Sequence, residues 1–375
     1  MKEKQLKIVI SGGGTGGHIF PAVSIANAIK KKRPNAEILF IGAEDRMEMD
    51  RVPKAGYPII GLPITGFNRQ QIWKNIAVLF KISKSLSKAR TILKEFRPSI
   101  AIGVGGFASG PTLKVAEWLG IPTLLQEQNS YAGVTNKLLA KKANCICVAY
   151  ENMDKFFPAE NILLTGNPVR QELLEKKYSK EQGRESFSLD KNKPTVLILG
   201  GSLGAQSINE AFLNSLEEIR ESDYQFIWQT GALYIERIKD AVKSNQPTNL
   251  CIVDFISDMA LAYAAADLVI SRAGAGSISE FCLLKKPVLL IPSPNVAEDH
   301  QTKNALALVD KGAALYIKDR EVEAKLMTTI NAAIKDKELL SSLSKQIETL
   351  GRPNSADIIA DKVLAIVEEN KQSDK

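Results

Sequence analysis

Short apolar runs that read as buried strands alternate with segments of helix length along almost all of this chain. A first series runs "LKIVIS" (6–11), "AEILFIG" (36–42), "SIAIGVGG" (99–106), "IPTLLQEQ" (121–128), "CICVAY" (145–150) and "NILLTG" (161–166). A second runs "PTVLILGGS" (194–202), "YQFIWQTG" (224–231), "LCIVDFI" (250–256), "DLVISRAG" (267–274), "KPVLLIPSP" (286–294) and "AALYIK" (313–318). Continuous apolarity marks strands covered on both faces, so each series predicts a parallel sheet flanked by helices. The 375 residues exceed what one core usually supports. The series break near "GNPVRQELL" (166–174), and a polar stretch, "KKYSKEQGRESFSLDKNK", follows. The expected fold class is α/β: two Rossmann-like, doubly wound domains facing a central cleft.

Glycine-rich turns follow three of the runs, "SGGGTGGH" (11–18), "GVGGFASG" (103–110) and "LGGSLGAQS" (199–207), and "SRAGAGSISE" (271–280) is a fourth small-residue turn. Open parallel sheets bind ligands beyond the carboxyl ends of their strands, where such turns cluster. Glycine lets the main chain approach a phosphate, and the next helix offers unpaired amides at the positive end of its dipole. Four such turns together predict a site for a phosphorylated or nucleotide ligand, although any one of them could serve only to pack a helix on its strand.

Gly12, Gly14 and Gly17 fit the spacing of a dinucleotide-binding turn, but the acidic residues after the second run, Glu44 and Asp45, come late for a ribose contact. No phosphate-loop NTPase sequence is present. The two histidines, His18 and His300, both fall in turns expected at the cleft. His18, beside a close-approach glycine turn, is a candidate general base, against the ordinary reading of a structural histidine. Glu127, ending a buried run, is a second candidate, or else a turn cap. Glu280 can accept from ribose hydroxyls or simply favour a helix start. Ser202 can hold a diphosphate or cap a helix. Cys145 and Cys147 share one face of a strand and read as buried thiols rather than a metal site.

Charge is uneven. Residues 1–168 hold 23 Lys+Arg and 12 Asp+Glu, a net of +11, and the remainder of the total of +7 is −4. An anionic partner for the first half follows. Residues 66–97 carry eight Lys+Arg and one Glu. Ile82, Leu86, Ala89, Leu93 and Phe96 recur at helical spacing and should face the core. Ile72, Trp73, Ile76, Leu79 and Phe80 exceed what one core stripe needs, and Lys74, Lys81, Lys84 and Lys88 flank them. Apolar residues fringed with lysine suit an anionic membrane surface; an amphipathic helix with a solvated cationic face is the plainer reading. No run approaches a spanning helix, and "LKIVI" meets glycine too soon for a signal peptide. Nucleic acid is not an expected partner, since no motif for it is visible.

The motifs "GGTGGH" (13–18), "GGFASGP" (105–111), "QEQNSYAGVTNK" (126–137), "GNPVR" (166–170), "GGSLGAQSIN" (200–209), "DFISDM" (254–259), "SRAGAGSISE" (271–280) and "DHQTKNA" (299–305) occur in order. Together they closely resemble the MurG family of bacterial glycosyltransferases, which add N-acetylglucosamine to lipid I. The resemblance spans nearly the whole chain and implies a GT-B fold. It implies an N-terminal acceptor-binding, membrane-facing domain (1–168), a C-terminal domain for UDP-N-acetylglucosamine (169–351), and a last helix (352–375) packed back onto the first domain. The activity implied is that of an inverting hexosyltransferase forming lipid II for peptidoglycan synthesis, with His18 and Glu127 as the candidate bases. Donor contacts are implied for Thr15, Gly16, Gly17, Asn129, Arg170, Ser202, Ile256, Ala275, Gly276, Ser277, Ile278, Ser279, Glu280 and Gln301. Gly13, Gly14, Gly105 and Gly106 should receive the acceptor's diphosphate. No cofactor is implied, because UDP-N-acetylglucosamine is a substrate and nothing resembles the Asp-x-Asp pair of metal-dependent transferases. The implied partners are the donor, lipid I, an anionic membrane surface and cell-wall or division proteins; the implied location is the cytoplasmic face of the bacterial membrane.

One position departs from the family. Phe107 stands where a tyrosine is common, so no phenolic hydrogen bond there can be essential. The alternatives are another GT-B enzyme, such as a glycolipid glycosyltransferase or a UDP-N-acetylglucosamine 2-epimerase, a dehydrogenase using the first glycine turn, and a non-catalytic UDP-sugar-binding membrane protein.

Overall fold

A computed structural model describes residues 5–65, 75–170, 172–201, 203–243 and 245–373. Ser202 and, in the basic stretch, Ile72, Trp73 and Lys74 lie outside the described residues, and only the helical backbone of Ile76 is described. The chain forms two compact units, Met1–Arg170 with Arg352–Lys375, and Gln171–Gly351.

Among the described residues the first unit holds a seven-stranded parallel sheet: β1 (Lys7–Ser11), β2 (Glu37–Ala43), β3 (Ile59–Leu62), β4 (Ile100–Gly103), β5 (Thr123–Glu127), β6 (Cys145–Val148) and β7 (Ile162–Leu164). Their order is β3-β2-β1-β4-β5-β6-β7, with Ser11 in register with Ile41 and Gly103. Six of these strands fall on the six apolar runs, with β2 ending one residue beyond its run at Ala43. The seventh, β3, was not expected: "IIGL" has four residues between Pro58 and Pro63 at the sheet edge, too short to stand out as a run.

Side chains alternate across β1, and each face has its own core. Ile8 and Ile10 pack with Ile25 and Ile29 of the helix Gly16–Lys32 and with Ile359, Val363 and Val367 of the last helix, Ser355–Ser373. Val9 and Ala101 pack instead with Ala89 and Leu93 of the helix Asn75–Phe96 and Leu113 of the helix Ser109–Trp118. In the basic stretch Ala89 and Leu93 are buried, and Ile82, Leu86 and Phe96 lie against the same core as the spacing predicts. Leu79 and Phe80 are 60% and 76% exposed. Cys145 and Cys147 are buried on one face with their sulfurs 4.0 Å apart.

The second unit holds six parallel strands: β8 (Thr195–Leu199), β9 (Gln225–Gln229), β10 (Leu250–Val253), β11 (Leu268–Ser271), β12 (Val288–Leu290) and β13 (Leu315–Tyr316). Their order is β10-β9-β8-β11-β12-β13. All six lie within predicted runs. Phe212, Phe226 and Trp228 fill the core edge to face, and the Trp228 indole N–H donates to Asn209 Oδ1 at 3.0 Å. In both sheets the strand order reverses beside the first strand of the unit, between β1 and β4 and between β8 and β11, which leaves a crevice at the carboxyl ends there. Among the described residues no helix is long and apolar enough to cross a membrane.

Candidate active site

In the first unit the turns after β1 and β4 meet at this crevice. Gly13 donates its amide to the Gly105 carbonyl at 3.3 Å. Each turn leaves no room for side chains on the other: a Cβ on Gly12 would lie 2.2 Å from Val104 Cγ2, and one on Gly106 2.4 Å from the Gly13 carbonyl oxygen. Part of the glycine content is therefore explained by two turns packing on each other, not by a ligand. Gly14 differs. A Cβ there meets nothing within 4 Å, but its φ of +89° favours glycine. Its amide donates to Glu48 Oε2 at 2.7 Å.

Thr15 then caps the helix Gly16–Lys32 without a side-chain cap bond, and Gly16 and Gly17 open it with amides that have no intrahelical acceptor. His18 follows in the first turn, half-buried. Its Nδ1 is 3.4 Å from Thr15 Oγ1, at the long end of hydrogen-bond reach, and its ring lies against Gly105, where a Cβ would come within 2.9 Å of Nε2. Arg170, half-buried, holds its guanidinium 5.5 Å over the ring of Phe20, two residues beyond His18. Phe107 is 47% exposed at the second turn.

Glu127 ends β5 and is 2% exposed. Oε1 accepts from the Asn129 backbone and side chain at 3.0 and 3.2 Å, and Oε2 from the Gly133 amide and Asn136 Nδ2 at 3.0 and 2.9 Å. Those four donors make the carboxylate the organiser of the loop 128–133 and of the start of the helix Val134–Leu139. Beneath the second turn, Gln128 Nε2 donates to the Val104 carbonyl at 2.7 Å, and Asn167 Nδ2 donates to the Gln128 carbonyl at 3.0 Å.

In the second unit the turn after β8 packs its Gly204 against Gly231, leaves Gly201 facing open space, and leads into the helix Gln206–Leu213. After β11, Arg272 braces three segments. Its guanidinium donates to the Ile291 and Pro292 carbonyls at 3.1 and 3.3 Å, to Ser207 Oγ at 2.9 Å, and to Asp319. Gly274 then starts the helix Ala275–Leu283, whose first turn contains Ala275, Gly276, Ser277 and Ile278. Ser279 Oγ bonds back to the Ala275 carbonyl at 2.9 Å. The Glu280 carboxylate is fixed by Tyr263, whose hydroxyl donates to Oε2 at 2.7 Å. After β12, Glu298 and Asp299 both take left-handed backbone (φ +57° and +52°), and the helix His300–Val309 follows. Gln301 Oε1 in that helix accepts the Ser293 amide at 2.8 Å. Ile256 is buried beside exposed Phe255 after β10.

Reading the sequence singled out neither Glu48, Tyr263 nor Arg272. A charged residue directly after an apolar strand could have signalled Arg272. Glu48 and Tyr263 carry no local signal, because the site residues that they hold, Gly14 and Glu280, lie 34 and 17 residues away. Among the described residues no group of three or more His, Cys, Asp or Glu is placed to hold a metal ion.

Comparison with known proteins matches residues 8–148 to the glycosyltransferase family 28 N-terminal domain and residues 195–359 to the family 28 C-terminal domain. The UDP-N-acetylglucosamine–N-acetylmuramyl-(pentapeptide) pyrophosphoryl-undecaprenol N-acetylglucosamine transferase of Bacteroides fragilis is 63% identical over 97% of both chains. The protein of the same name from Bacteroides thetaiotaomicron is 62% identical over 98% of this chain and 99% of its own. The crystal structure of Acinetobacter baumannii MurG superposes with a TM-score of 0.77 at 29% identity, covering 96% of this chain and 99% of the other. The two family 28 domain matches, which cover most of the chain, and full-length identity of this order place the chain in glycosyltransferase family 28, among the MurG N-acetylglucosamine transferases.

Proposed function

We propose that this chain moves N-acetylglucosamine from UDP-N-acetylglucosamine to the 4-hydroxyl of N-acetylmuramic acid in lipid I, making lipid II. The relative from Bacteroides fragilis is named for that transfer and matches the chain end to end. The observation that carries the mechanism is His18, in the first turn of a helix with unpaired amides and against the bare backbone of Gly105. The acceptor oxygen attacks C1 of the sugar, the bond from C1 to the UDP oxygen breaks on the opposite face, and the hydroxyl proton passes to the His18 imidazole. Inversion follows. Glu127, saturated by four donors, positions Asn129 and its loop instead of taking the proton.

In this reading the first unit receives lipid I and the second the donor. Glu280, oriented by Tyr263, accepts from the ribose hydroxyls, and the buried Ile256 lies along the uracil. Ser277, Ser279 and Gln301 contact the rest of the donor. The helix starts at 206 and 275 stabilise the charge that develops on the leaving UDP, and Arg170 adds a cation. Transfer proceeds without a metal. The enzyme works at the cytoplasmic face of the membrane, with the exposed Leu79 and Phe80 and the lysines Lys81 and Lys84 against anionic lipid.

The test is UDP release from UDP-N-acetylglucosamine by chelator-treated enzyme, with and without a lipid I analogue. Release that depends on the acceptor is the expected result. Tight donor binding with no such release would overturn the transfer and favour an epimerase or a UDP-sugar sensor.

A further inference from the structure

Glu48 opens the helix Glu48–Lys54 and is 1% exposed. One carboxylate oxygen accepts the Gly14 amide at 2.7 Å and the other the Ala43 amide at 3.0 Å. Two glycines make the space it fills: a Cβ on Gly13 would lie 2.2 Å from the carboxyl carbon, and one on Gly42 2.6 Å from Cγ. The ends of β1 and β2 are thus built around a single side chain. A glycine turn at this point of a parallel sheet ordinarily offers its amides to a ligand anion. Here the chain supplies the anion itself.

We infer that Glu48 is a positioning residue for the transfer: its carboxylate fills the first glycine turn, fixes Gly13 and Gly14, and through them sets the place of His18. The contacts are continuous. Gly13 bonds to the Gly105 carbonyl, its own carbonyl lies against Gly106, and Gly105 lies against the His18 ring. The inference rests on the proposed role of His18 as base. It also revises where a phosphate can bind. The Gly14 amide is taken, and a diphosphate seated on Gly13 and Gly14 would face a carboxylate, so these two glycines do not receive the acceptor's diphosphate. A dinucleotide is excluded from the turn for the same reason.

Glu48→Gln keeps the volume but sets an NH2 group against one of the two amides. Amide exchange at Gly14 or Ala43 should then quicken about tenfold, as expected when a buried donor loses its acceptor. The turnover number should fall about 10²-fold, the cost of a misplaced reacting group, with KM for UDP-N-acetylglucosamine within about twofold of wild type. Glu48→Asp, with the charge but a shorter reach, should fall as far. Wild-type turnover in either variant overturns the inference. So does a loss that only tracks a lower Tm and a higher donor KM. Should both variants fail to fold, the wild-type enzyme still decides: its Gly14 amide must exchange slowly and be unaffected by UDP-N-acetylglucosamine or acceptor, and fast exchange overturns the inference. Absence of acceptor-dependent UDP release by the wild type would sink the proposed reaction and leave the exchange result standing.

Discussion

A base that takes the acceptor's proton acts in the transfer step and not in holding UDP. His18→Ala should therefore cut turnover by about 10²–10⁴, the usual cost of a lost general base, and leave UDP affinity nearly unchanged. Isothermal titration with UDP beside steady-state rates separates the two, and a variant that loses the donor makes His18 a binding residue. Lys286 makes a different kind of prediction, about stability. Burial pushes its amine down to about 8, Lys180 and Arg184 add repulsion, and Asp267 opposes them. Its Nζ donates to the Ala266 carbonyl at 3.1 Å. The folded amine holds fewer protons than the unfolded one between about 8 and 10.5, so its contribution to stability rises with pH across that window. Lys286→Met should flatten that rise in Tm relative to wild type. Identical Tm profiles from pH 8 to 10.5 would mean that the amine is solvated.

Twelve of the thirteen described strands could be read from sequence because each falls on a continuous apolar run, whereas β3 is too short to form one. Cys145 and Cys147 could be placed because a period of two puts both on one face. What stayed hidden depends on partners distant in sequence. Glu48 meets Gly14 across 34 residues, and Tyr263 meets Glu280 across 17. Local patterning holds no record of either pair. Conversely, bare backbone at the first two turns has a use besides ligand approach, since Gly12 is bare for Val104 and Gly106 for Gly13. In the helix Asn75–Phe96 the core stripe was legible from its spacing, and of the apolar residues in excess of it Leu79 and Phe80 are exposed, while Ile72 and Trp73 lie outside the described residues. That excess gives a test, because Leu79 and Phe80 are too exposed to contribute much to the core. Leu79→Ser with Phe80→Ser should leave Tm and activity on a short-chain soluble acceptor near wild type while weakening binding to anionic vesicles. Equal loss on the soluble acceptor would place the pair in the site or the fold, not at a membrane.

The chain leaves its first unit at 170 and returns to it at 352, so one hydrophobic core is completed by residues from both ends of the sequence. Ile359 is fully buried there with Ile8, Ile25 and Val363, none of them in the second unit. Truncating it to alanine removes apolar contact and leaves a cavity, at about 2–5 kcal/mol. If the last helix belongs energetically to the first unit, that loss should be local. Hydrogen exchange of Ile359→Ala should then quicken in peptides from 5–170 and 352–373 and stay as in wild type in peptides from 172–351. Saturating UDP should slow exchange in the second set, because a ligand that binds only the folded state stabilises the unit that binds it. Faster exchange in both sets would mean that the two units unfold as one, and the return of the chain at 352 would then fasten the second unit as much as it completes the first.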